Sequence, residues 1–142
     1  IGAFISSFEM MGLLKDNPKL GHISTFAGHP VIAAAGNATV TEILDQNLLA
    51  ESVRKEQIIR KFLVHDAIKE IRGKGLMLAL IVETPDIAAQ IIHQCLKNGL
   101  ILFFLLFEGR AMRVSPPLNI SDQDIEKGCN IILKSINEVI KQ

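Results

Sequence analysis

Ile68-Lys69-Glu70-Ile71-Arg72-Gly73-Lys74-Gly75-Leu76-Met77-Leu78-Ala79-Leu80-Ile81-Val82-Glu83 decides the fold. Two strand-like runs, Ile68 to Arg72 and Leu76 to Glu83, are joined by Gly73-Lys74-Gly75, whose glycines supply the positive φ of a tight turn. The stretch therefore predicts an antiparallel hairpin. It is not a dinucleotide motif, since neither a third glycine nor a helix follows.

Downstream, Thr84 caps and Pro85 opens a helix carrying Ile87, Ile91, Ile92 and Leu96, which stops at Asn98-Gly99. The apolar run Leu100 to Phe107 predicts a buried strand and Glu108-Gly109-Arg110 a turn. Ala111 to Ser115 reads as a last strand, terminated by Pro116-Pro117 because proline cannot continue a ladder. Ser121 caps a final helix from about Asp122 to Lys141. Strand, strand, helix, strand, strand, helix is the order of an α+β layer, a mainly antiparallel four-stranded sheet with helices on one face.

Upstream the chain reads as helical. A short helix within Ile1 to Leu20 is closed by Asn17-Pro18, and Val31 to Gln46 is amphipathic with a thin, alanine-rich surface. A further helix runs from after Asn47 to about Val64, with Leu49, Val53, Ile59 and Phe62 inward and Glu51, Arg54, Lys55 and Arg60 outward. Between these lies Gly21-His22-Ile23-Ser24-Thr25-Phe26-Ala27-Gly28-His29-Pro30. Hydroxyls and glycine N–H groups donate hydrogen bonds from short, stiff positions, the chemistry that holds a phosphate. A Ser/Thr loop that merely caps a helix has the same composition.

Within 142 residues, 49% hydrophobic and 21% charged, there is room for one well-packed core. Fifteen basic residues balance fifteen acidic ones without a basic cluster, so no electrostatic case exists for nucleic acid or an anionic membrane. Cys95 and Cys129 fall in helical patterns without C-x-x-C spacing, and His22, His29, His65 and His93 form no ligand motif, so buried thiols and no metal are expected. The longest apolar run is far short of the ~20 residues that span a bilayer. No secretory signal is visible, and a cytoplasmic location is expected.

Ser24-Thr25-Phe26-Ala27-Gly28-His29-Pro30 resembles the S-T-F-G-G-N-P signature of class III pyridoxal-phosphate aminotransferases, the ornithine and acetylornithine group, with Ala27 and His29 as departures. Arg113-Val114-Ser115-Pro116-Pro117-Leu118-Asn119-Ile120-Ser121 resembles that family's R-x-x-P-P-L-x-I-S/T element, and Arg72-Gly73-Lys74-Gly75-Leu76-Met77 a third. Ile1 to Phe4 look like the end of the glycine-rich segment that follows the family's Schiff-base lysine, so the resemblance implies a C-terminal fragment with that lysine upstream. No catalytic residue is then expected here. The resemblance implies pyridoxal phosphate bound in the full-length protein rather than the fragment, a homodimer with shared active sites, and amino-acid and 2-oxo-acid substrates. It casts Thr25, with Ser24, as ligand of the partner subunit's cofactor phosphate, and Arg113 as a binder of a substrate carboxylate or a gating acidic side chain. Residues 1–30 become a remnant of the large domain, 31–64 interdomain helices, and 65–142 the small C-terminal α+β domain of a fold-type I enzyme. Leu102-Phe103-Phe104-Leu105-Leu106-Phe107 is more apolar than the matching family stretch, which leaves the substrate open. The rival reading is a stand-alone α+β ligand-binding or regulatory module, which needs no lysine.

Overall fold

The computed structural model describes residues 2–16 and 23–141, which fall into two compact units, Ile1–Gln46 and Asn47–Gln142. In the first, α1 (Phe8–Gly12) starts where the Ser7 hydroxyl accepts from the Met10 N–H, and α2 (Pro30–Asp45) starts at a proline whose missing N–H would have had no helical partner. Neither helix buries a residue. Ile1, the Asn17-Pro18 stop and the Gly21-His22 start of the loop lie outside the described residues.

The second unit runs α3 (Leu48–Phe62), β1 (Glu70–Lys74), β2 (Met77–Ile81), α4 (Pro85–Lys97), β3 (Phe103–Leu105), β4 (Glu108–Val114) and α5 (Asp122–Ile140). The strands form one antiparallel sheet in the order β1-β2-β4-β3, with Leu80 opposite Met112 and Leu78 opposite Val114. Because successive side chains alternate faces, Leu78, Leu80, Val82, Met112 and Val114 share one side. There they meet Ile59 of α3, Ile91 and Cys95 of α4, and Ile125, Cys129, Ile132 and Ile136 of α5 in one core. Each fully buried Leu or Ile contributes about 1.5–3 kcal/mol, so this face holds the unit together. The opposite face presents Arg72, Met77, Ala79 and Arg113. The architecture is α+β, with the helices on one side of the sheet.

Three local expectations are corrected. The run Leu100 to Phe107 is not a buried strand: only Phe103–Leu105 pairs, Leu102 alone is buried, and Phe107 is fully exposed at the tip of a two-residue turn. Glu108-Gly109-Arg110 is therefore not the turn but the start of β4, where Glu108 pairs with Leu105 and the register then shifts. On α3 the inward face is rotated, since Leu49 and Val53 are exposed while Lys55 and Glu56 are buried. Hydrogen bonds explain the rotation. The Lys55 ammonium donates to the Leu118 carbonyl at 2.7 Å, and Glu56 accepts from the Gly75 N–H at 2.6 Å and from Arg60 Nε at 2.8 Å. Arg60 in turn donates to the carbonyls of Ile71 and Gly73, so α3 grips the β1–β2 turn through charge-assisted bonds.

Candidate functional site

Two separate local sites carry the residues singled out from the sequence. In the first unit, Ser24 and Thr25 are neighbours and exposed, at the entrance to a turn over residues 25–28. The Ala27 N–H donates to the Ser24 carbonyl at 3.0 Å and the His29 N–H to the Phe26 carbonyl at 3.2 Å. Those two bonds leave the N–H groups of Thr25 and Phe26 outside the turn. Gly28 sits at φ +70°, a left-handed conformation that glycine adopts without strain. His29 is fixed rather than free, its Nδ1 accepting from the Val31 N–H at 3.3 Å and its ring set edge-on to Phe26. Two hydroxyls, adjacent N–H groups and the start of a sixteen-residue helix make an anion-compatible donor set.

In the second unit, Arg113 lies on β4 between Phe103 of β3 and Ala79 of β2, on the sheet face turned away from the helices. This face is concave and mostly apolar, with Met77, Ala79, Ile81, Leu105 and Ala111 around Arg113 and Ser115. At its other end Glu108 is gripped by Arg110, whose Nε and Nη2 both donate at 2.9 Å, while Arg72 binds Glu70 and stands 3.9 Å from Glu108. The Arg110 guanidinium and N–H, with Arg72 adding its charge, hold the Glu108 carboxyl down to about 2. Among the described residues Arg113 makes no ion pair, so it is the arginine of the three that keeps its planar fork available.

Ser24 and Thr25 belong to one unit and Arg113 to the other. The pairing of Arg72 and Glu108 was missed from the sequence, because it depends on the strand order across the sheet and has no local signature. Cys95 and Cys129 are buried free thiols as expected, and burial pushes Cys129 up to about 11. Among the described residues no cluster of His, Cys, Asp and Glu could hold a metal ion, and no helix is long and apolar enough to cross a membrane.

A family model described as aminotransferase class-III matches residues 1–136. Among solved structures, an ornithine aminotransferase from Toxoplasma gondii, with partial occupancy of PLP at its active site, is 32% identical with a TM-score of 0.73. That match covers 89% of this chain and 31% of the other. A Bacillus anthracis aminotransferase is 22% identical over 92% of this chain and 34% of its own, with a TM-score of 0.76. An engineered thermostable omega transaminase is 21% identical over 93% of this chain and 32% of its own, with a TM-score of 0.78. These last two share the fold. The chain spans about a third of the length of the structures it matches.

Proposed function

Because the chain belongs to the class-III aminotransferase family, we propose that it is the C-terminal part of an enzyme that moves an amino group between an amino acid or diamino acid and a 2-oxo acid. Pyridoxal phosphate, when bound, supplies the electron sink for that chemistry. The donor set around Ser24 and Thr25 fits its phosphate: the hydroxyls and the N–H groups of Thr25 and Phe26, which have no partner among the described residues, donate, and a dianion accepts. We assign Thr25, supported by Ser24, to the cofactor phosphate held across a homodimer interface. None of the lysines in this sequence follows the family's lysine motif, so the reactive lysine is assigned to a part of the protein outside it, and the chain alone is expected to be inactive. Residues 1–30 are assigned to the large domain, 31–64 to interdomain helices and 65–142 to the small domain.

The observation that supports the substrate role is the uncommitted guanidinium of Arg113 on an apolar concave face, while Arg72 and Arg110 are paired. A planar fork makes two parallel bonds to a carboxylate, which an ammonium cannot reproduce. In the full-length enzyme, Arg113→Lys is expected to lower kcat/KM for a carboxylate substrate about 10- to 150-fold, with cofactor absorbance unchanged. Arg110→Lys should do little. A collapse for Arg110→Lys with normal kinetics for Arg113→Lys would assign the role to the wrong arginine.

Thr25 has its own test in mixed dimers that combine a Thr25→Ala chain with a chain lacking the lysine. One composite site then keeps both groups and should remain active; dimers dead at both sites would overturn the shared arrangement.

A further inference from the structure

Gly128 lies in the middle of α5, outside the left-handed region, and a Cβ placed on it would meet nothing nearer than Leu100 Cδ1 at 4.0 Å. Neither backbone conformation nor crowding requires glycine there, and glycine destabilises a helix interior relative to alanine. What its absent side chain does is leave space. Gly128 borders a cavity of about 180 Å³ between α5, Ile59 of α3, and the segments around Leu102 and Pro116. Its floor is aliphatic and buried, with Ile59, Ile125, Cys129 and Ile132 all at most 3% exposed. An aliphatic cavity of roughly 150 Å³ stays dry and admits a benzene-sized molecule.

Two charged residues touch this cavity, Arg113 and Asp124. Strand alternation turns the Arg113 side chain to the face opposite Val114, so the charge that serves the cavity is that of Asp124. One Asp124 oxygen accepts from the Ser121 hydroxyl at 2.7 Å, and the other has no side-chain partner among the described residues.

We propose that this cavity is a binding site for a small amine with a ring-sized apolar body, the ring seated against Gly128 and the ammonium directed to Asp124. The cavity lies on the helix side of the sheet, with Arg113 and Ser115 bordering both it and the concave face, and amine binding there does not depend on a carboxylate at that arginine. Benzylamine, toluene and benzoate titrated into the full chain, followed through the methyl resonances of Leu102, Ile125 and Ile132, test it. Benzylamine should move those methyls and bind at least about fivefold tighter than benzoate. Gly128→Leu should weaken benzylamine more than about tenfold while raising Tm, because the added side chain occupies the same space and improves helix propensity. Gly128→Ala should give a smaller change in both, a control if the leucine does not fit. Asp124→Asn should bring benzylamine and benzoate to within about twofold while toluene still binds. Benzoate binding as tightly as benzylamine, full affinity in Gly128→Leu, or shifts confined to the exposed Phe103–Phe107 segment would each overturn the proposal.

Discussion

Gly73 and Gly99 both hold positive φ, +110° and +87°, but in different surroundings. A Cβ on Gly73 would collide with the Met77 carbonyl across the hairpin, whereas one on Gly99 would point into open space. Gly73→Ala is therefore expected to cost more than about 3 kcal/mol, and Gly99→Ala only about 1–2, measured by urea unfolding. Equal costs would mean that strain alone matters. Glu56 and Glu108 are two of the five described carboxyls held below their ordinary values, the others being Glu51, Asp122 and Glu138. Arg60 and the Gly75 N–H hold Glu56 below its usual 4.5, and Arg110 with Arg72 holds Glu108 down to about 2. A depressed carboxyl stabilises the fold fully above its unfolded pKa and loses that contribution as pH falls through the folded one. Stability should fall between pH 4.5 and about 2, and the Glu56→Gln/Glu108→Gln double variant should be less stable at pH 7 and flatter across that window. A variant with an unchanged acid transition would show that other carboxyls carry it.

Helices α4 and α5 were legible from the sequence because their start signals are local. Thr84 and Ser121 accept from the Ile87 and Asp124 N–H groups at 3.2 and 3.1 Å, one turn ahead in the same helix. The β3–β4 hairpin was not, because hydropathy assigns Leu106 and Phe107 to a core while the fold puts them in the turn. Glu108 instead pairs with Leu105 at the start of β4, held by Arg110 two residues on and facing Arg72, the latter a contact set by strand order. Lys55 and Glu56 of α3 were unreadable for the same reason, their partners being 63 and 19 residues away in the chain. Of the candidate sites, the loop at Ser24-Thr25 and the Arg113-Pro116-Pro117 element were visible as contiguous motifs; the Gly128 cavity, assembled from four elements, was not. The hairpin yields a direct comparison. Phe107→Ser should change stability by no more than about 0.5 kcal/mol, and Met112→Ala, at a fully buried position, should cost about 2–5. A large loss at Phe107 in thermal unfolding would mean that the tip is covered in solution.

The two units differ in what holds them. α2 buries no residue, while the sheet unit has a core drawn from three helices and strands β2 and β4, with Ile71 of β1 packed against it. Hydrogen exchange should thus be slowest at the paired amides of Leu78–Ile81 and Ala111–Val114, and faster by orders of magnitude in α2. Uniform protection of both would contradict a separate, core-poor first unit. The strand order has a consequence in time as well as in space. β4 is the last strand to be synthesised yet sits between β2 and β3, and β3 pairs with no other strand. On the ribosome the β1–β2 hairpin can close early, but the Leu100–Phe107 run waits unpaired until residues 108–114 emerge. Most of its apolar side chains stay exposed in the folded unit, so what that interval adds is an open backbone edge beside them, a template for aggregation that pairing with β4 removes.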